Sequence, residues 1–230
     1  MPVKTIVPGI HQISLGFVNV FLLDGNDGVT LIDTGIPGSD RKILAAIEQL
    51  GKHIQDVHSI VITHLHADHT GSLFALKDAT GAEVYAHAEE AGAIRVGQTM
   101  RAVQPAPGWF NALIVGLMMR PRKPRLQMPV AVEHEVRDGD ELPGGLMAVH
   151  TPGHTAGHLA LLWPHHGGVF FLGDAATAMF RLGYPPIFED FELGQRSLKR
   201  IAGMDFETAC CSHGQAFLDH ASEKFRQKWS

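Results

Sequence analysis

Short apolar-rich runs at 10–15, 18–23 and 29–33 predict three strands near the start of the chain. Gly16 and the turn Asp24-Gly25-Asn26-Asp27-Gly28 part them. Ser39 is placed to cap a helix that runs to Leu50 and stops at Gly51, with Ile43, Leu44, Ile47 and Leu50 as its buried stripe. A buried strand over 58–63, a helix near 70–77, a strand over 82–86 and a helix from Ala88 to Val96 follow. The strand pattern returns at 130–136, 145–150, 157–163 and 168–173. A helix near 194–203, a strand over 207–211 and a C-terminal helix with Phe217, Ala221 and Phe225 on one face complete the reading. Strands with interspersed helices in both halves suit an α/β fold of two sheets packed face to face with helices outside. Neither a linker nor a second domain breaks the pattern, so 1–230 reads as one domain.

One segment departs from it, an insertion at about 104–129. Pro105, Pro107, Pro121, Pro124 and Pro129 bracket an apolar stretch from Trp109 to Met119. The stretch is too short to span a bilayer, and a helix apolar nearly all round must be covered on several sides. Three readings follow: a core helix, a homodimer contact, or a lid over a site. The proline brackets favour the lid, with Trp109, Phe110, Leu113, Leu117 and Met118 as an adaptable apolar wall.

Composition narrows the classes of function. The chain has 230 residues, 45% of them hydrophobic, which is enough for a sizeable core. Formal net charge is −5, and the one basic cluster is Arg120-Pro121-Arg122-Lys123-Pro124-Arg125. That balance argues against nucleic acid as a partner and for a small-molecule substrate. Cys210 and Cys211 are adjacent, too close at about 3.8 Å between α-carbons for an ordinary disulfide, and read as free, buried thiols. The N-terminus has no secretory core, and no apolar run reaches membrane length, so the expectation is a cytoplasmic protein without a membrane partner.

The chemistry sits in His64-Leu65-His66-Ala67-Asp68-His69, after the apolar run Ile60-Val61-Ile62. At a strand end alternate residues point the same way, so His64 and His66 converge on one ion. After the turn, Asp68 and His69 face a second. Imidazole with carboxylate suits zinc and its first-row neighbours better than magnesium or calcium. Three further segments repeat the device of a His or Asp beside a glycine: Thr151-Pro152-Gly153-His154, Gly173-Asp174 and Cys211-Ser212-His213-Gly214. Asp33 also ends a buried strand and needs a partner, which a ligand histidine supplies. The remaining histidines, His158 among them, read as surface, packing or supporting residues.

By HxHxDH at 64–69, TPGHTxGH at 151–158, the Gly-Asp pair at 173–174 and Leu31-Ile32-Asp33-Thr34-Gly35, the chain resembles the metallo-β-lactamase-fold hydrolases over about 10–215. The resemblance implies a four-layer αββα sandwich. It implies that His64, His66 and His154 hold one divalent ion, that Asp68, His69 and His213 hold another, and that Asp174 bridges them. The ions would be zinc, with iron or manganese as alternatives, about 3.5–4 Å apart. A bridging water deprotonated near neutral pH would be the nucleophile, with Asp68 orienting it or carrying a proton to the leaving group.

Hydrolysis of an ester, thioester or lactone is the reaction class this implies. The alternatives are a mononuclear iron persulfide dioxygenase, a β-lactamase and a phosphodiesterase. Two departures leave the substrate open. Glyoxalase II enzymes carry a C-terminal glutathione-binding domain, whereas 17 residues follow His213 here. Acyl-homoserine lactonases place a tyrosine three residues after the bridging aspartate, where this chain has Thr177 and only Tyr184 stands near as a substitute in the pocket.

Overall fold

The computed structural model describes residues 3–25, 27–108, 111, 113, 115–116 and 127–230. Trp109, Phe110, Leu117 and Met118 lie outside the described residues, and with them most of the expected lid. Two sheets form the centre. The first holds β1 (Val3–Val7), β2 (Ile10–Ser14), β3 (Asn19–Gly25), β4 (Gly28–Ile32), β5 (Val57–Ile62), β6 (Glu83–His87) and β8 (His134–Val136), side by side in that order. Its first three neighbour pairs are antiparallel, and from β4 through β8 it is parallel. The second holds β14 (Thr208–Cys210), β12 (Val169–Phe171), β11 (Leu159–Trp163), β10 (Leu146–His150) and β9 (Glu141–Leu142). A two-stranded ribbon, β7 (Gln104–Pro105) with β13 (Ile187–Phe188), stands apart.

The strands are nearly continuous apolar runs because both faces are covered. In β3, Val20 and Leu22 face α1 (Asp40–Gln49), α3 (Leu73–Thr80) and α4 (Ala88–Arg95), while Phe21 and Leu23 point into the layer between the sheets. The same alternation runs through β12, where Val169 and Phe171 enter that layer. Phe170 faces the opposite way, toward α5 (Phe191–Ala202) and α6 (Ala221–Trp229). Phe21 and Phe171 meet edge to face across the layer, 5.3 Å apart. The result is the αββα sandwich. Among the described residues no helix is long and apolar enough to cross a membrane.

Four local expectations needed correction. β1 appears where no strand was expected, because pairing along β2 supplies the partner that Val3–Val7 lacks in isolation. The helix expected near 70–77 is two, α2 (Ala67–Thr70) and α3, broken at Gly71. A Cβ at Gly71 would collide with the backbone of Ile36 and Pro37, so this glycine lets the loop after β4 lie against the ligand turn. Ser39 sits at the start of α1, yet its side chain makes no cap bond, and its backbone N–H donates instead to Ser72 Oγ, at 2.8 Å. Phe217 precedes α6 rather than lying on it, and pairs with Ala209.

Candidate metal centre

The C-terminal ends of β4, β5, β10, β12 and β14 open onto one edge of the sandwich, and each delivers part of the site. Two cross-links hold the two sheets together there. Leu159 N–H donates to Thr63 carbonyl at 2.9 Å. Asn19 donates its backbone N–H to Ser212 and its side-chain amide to Cys211 and Gly214 carbonyls, at 2.8, 3.2 and 2.9 Å.

Three groups of ligand atoms converge: His64, His66 and His154; His64, His69 and Asp174; Asp68, His69 and His213. Within the first, His66 Nδ1 lies 3.1 Å from His64 Nε2 and 3.0 Å from His154 Nε2. Those spacings are close to the edge of roughly 3.3 Å of a tetrahedron whose ligands stand about 2.0 Å from zinc. Asp174 lies between the groups. Its Oδ2 is 3.4 Å from both His154 Nε2 and His213 Nε2, and its Oδ1 is 3.6 Å from His69 Nε2.

The outward nitrogens show which lone pairs face inward. His154 Nδ1 donates to Ile187 carbonyl at 2.9 Å, and His213 Nδ1 to Phe17 carbonyl at 2.8 Å. A carbonyl only accepts, so in both rings Nδ1 carries the proton and Nε2 is free to bind a cation. His69 Nδ1 donates to Asp33 Oδ2 at 2.8 Å. Asp33 is itself held by the N–H and hydroxyl of Thr63, at 2.9–3.0 Å, with φ of 61°. That backbone is unusual for a non-glycine and turns the carboxylate under the ligand turn.

His69 Nε2, His66 Nε2 and Asp174 Oδ1 are buried with no hydrogen-bond partner. Buried polar atoms are rarely left so, and two of these, His69 Nε2 and Asp174 Oδ1, face each other across 3.6 Å where the ligands meet. Charge agrees with geometry. Burial drives His64 well below the usual histidine range and His66 down to about 3, with neighbouring imidazoles adding to the effect. Burial opposes the charged form of His69 and His213 as well, yet the carboxylates overcome it. Asp33, Asp174 and Asp68 raise His69 to about 9, and Asp174 with Asp68 raises His213 to about 11. Burial would likewise raise Asp68, but His69 and His213 hold it at about 2. Protons on two histidines thus balance a cluster of carboxylates, a role that a divalent cation takes over by displacing them. The donor set and its orphaned atoms fit divalent metal.

His158, read from sequence as supporting, bonds Thr151 Oγ1 through Nδ1 at 2.8 Å and accepts the Asp174 N–H at Nε2, 2.9 Å away. It therefore aims Asp174 rather than joining the ligands. The cleft beside the ligands, about 320 Å³, is walled by Phe17, Met100, Val115, Met179, Pro185, Pro186 and Ile187. Of the expected pocket residues, Leu113 is described and exposed, off that wall. Tyr184 is a correction: its ring packs against Phe191 and Trp229 in the outer core, and its neighbours Pro185 to Ile187 form the wall. The sequence reading also missed Phe17, whose ring stacks on His213 at 5.9 Å, because nothing local sets it apart from a strand-end residue.

The model of the Metallo-beta-lactamase superfamily matches residues 13–213. Uncharacterized protein YobT of Bacillus subtilis is 30% identical over 227 residues, covering 91% of this chain and 88% of that one. A hydroxyacylglutathione hydrolase of Bdellovibrio bacteriovorus is 29% identical over 84% of this chain, which spans 62% of that relative's length. A metallo-beta-lactamase of Cronobacter sakazakii with a HARLDQ motif superposes with TM-score 0.72 at 25% identity, over 93% of this chain and 81% of that one.

Proposed function

The chain belongs to the Metallo-beta-lactamase superfamily, and on that footing we propose that it is a dinuclear metal hydrolase of carboxylic esters, thioesters or lactones. The observation that carries the dinuclear part is the position of Asp174, within 3.6 Å of imidazoles from both ligand groups. A single ion held by any one of the three convergent groups would leave ligand atoms of the others without a cation. Bound at these ligands, divalent ions supply a water deprotonated near neutral pH and an electrophile for the carbonyl oxygen.

The chain's own residues do the rest. His154, His213 and His69 are fixed in one tautomer by Ile187, Phe17 and Asp33, so the ligand set is preorganised. Asp68 is the ligand carboxylate most open to the cleft, its side chain 28% exposed against 8% for Asp174. It is therefore the group that holds or passes a proton at the leaving atom. Phe17, Met100, Val115, Met179 and Ile187 present an apolar wall beside it, which excludes water and suits an apolar acyl or alkyl group. The name of the Bdellovibrio relative supports a thioester within this class.

The test is metal analysis followed by a panel of aryl esters, acyl thioesters and lactones, on protein reconstituted with zinc, manganese or iron. Two ions per chain with turnover of at least one panel class is the expected result. A single iron per chain, or turnover of none of the three classes by fully loaded protein, would overturn the proposal.

A further inference from the structure

Glu90 is a carboxylate with no solvent exposure, in the first turn of α4, and no motif marks it. It accepts the Leu65 N–H at Oε2, 3.1 Å, and the Gly157 N–H at Oε1, 2.7 Å. Leu65 stands between ligands His64 and His66, and Gly157 stands three residues after ligand His154. One side chain therefore ties together the two loops that carry the first ligand group. A Cβ at Gly157 would meet Glu90 Cγ at 2.7 Å and Oε1 at 2.8 Å, so the glycine is what admits the carboxylate.

The charge of Glu90 is met by Arg101, whose Nη1 lies 3.0 Å from Glu90 Oε1 and 3.3 Å from Glu189 Oε1. Arg101 Nη2 donates to Glu89 carbonyl. Glu189 in turn accepts the Ala156 N–H at 2.8 Å, and its own N–H donates to His154 carbonyl at 3.1 Å. All these contacts fall on or beside His64, His66 and His154. The second group has its own braces: His69 by Asp33, which also reaches His64 through Thr63 Oγ1, and His213 by Phe17 carbonyl.

We propose that Glu90, locked by Arg101, is the positioning residue for the ion held by His64, His66 and His154, and for that ion alone. This rests on the dinuclear reading above. Leu65 and Gly157 are backbone donors, so the carboxylate sets loop spacing rather than ligand chemistry. Its loss lets His154 drift from His64 and His66 while Asp68, His69 and His213 stay in place. Arg101 balances the charge of the carboxylate and aims it, since a buried carboxylate without its cation is strongly disfavoured.

The experiment is stepwise titration of metal-free protein with cobalt(II), followed by absorption and native mass spectrometry, for wild type, Glu90→Gln, Arg101→Gln and Gly157→Ala. In the variants one of two affinities should fall about 10–100-fold, leaving a one-ion species over a wide range of cobalt. The other affinity should stay within about twofold. Asp33→Ala should weaken the complementary ion most, with a smaller effect on the first through Thr63 and His64, and its combination with Arg101→Gln should weaken both strongly. Arg101→Lys, at a partly exposed position, keeps the charge but cannot span all three acceptors and should fall between wild type and Arg101→Gln. Parallel loss of both affinities with lowered metal-free melting, or no change in either, overturns the clamp. A wild type that binds no cobalt overturns the hydrolase reading and the clamp together. A two-ion wild type with variants that match it overturns the clamp alone.

Discussion

The two halves of the centre are built by opposite means. His64, His66 and His154 meet in a pocket where burial strips the charge from each ring, so they present neutral lone pairs before any ion arrives. His69 is as deeply buried and His213 nearly so, but Asp33, Asp68 and Asp174 favour the charged imidazolium in the metal-free protein. The first half is organised by steric placement and desolvation, the second by a surplus of negative charge. Asp174 belongs to both, and its carboxylate links the uncharged cluster to the charged one.

The harshest way to break that link is Asp174→Ala, which should lower hydrolysis by at least roughly 1,000-fold and release metal from both halves. Asp33→Ala should cost less, about 10–100-fold, and mainly in the second half, because Asp33 meets the ligands directly at His69 and reaches His64 only through Thr63 Oγ1. Activity assays and bound-metal counts on the two variants would refute the distinction if the losses were equal.

Metal-free protein offers a second way to separate the halves. The folded-state pKa of His69 is raised to about 9, above the ordinary histidine value of about 6.5 expected on unfolding. A raised pKa means the folded chain binds the proton more tightly. The stability this contributes is complete below about pH 6.5 and is lost as pH rises toward 9. Chelator-treated protein should therefore lose on the order of 3 kcal/mol through His69 between those values, with His213, raised to about 11, adding a loss in the same direction, while the metal-loaded protein should not. Denaturant melts across that window decide it, and flat metal-free stability would show that His69 is not a cation there.

The smallest effect concerns the cleft, which touches both halves. Each methylene added to a neutral ester or thioester should improve transition-state binding by about 1 kcal/mol until the wall of Met100, Val115 and Met179 is covered. Met179→Ala should shift the optimum toward longer chains. A flat profile of kcat/KM against chain length would remove the apolar wall from the recognition of substrate.

That the strand-ending His and Asp residues would converge was legible because each is announced locally, by an apolar run, a His or Asp and a glycine. Asp33 was legible for a related reason, since a carboxylate closing a buried strand requires a partner. Glu90 carried no such mark: next to Glu89 in an ordinary helix it reads as one more surface charge, and only the folded chain buries it against Leu65 and Gly157. Tyr184 misled because distance along the chain from Asp174 says nothing of which core its ring joins. The cleft wall came from five separated stretches, around Phe17, Met100, Val115, Met179 and Pro185–Ile187, none adjacent to another in sequence.

What the sequence determined by itself was therefore the layered α/β architecture and the set of His and Asp residues that come together as candidate metal ligands. Both follow from short-range periodicity and from donor chemistry that a residue carries wherever it lies. Tertiary structure alone decided the partners of the outward ring nitrogens, the sign of the pKa shift at each histidine of the site, the lining of the cleft and the contacts that bury Glu90 against Arg101, Leu65 and Gly157. These depend on distances between residues up to about 200 positions apart, such as Phe17 and His213, and burial and Coulomb forces act through space rather than along the chain.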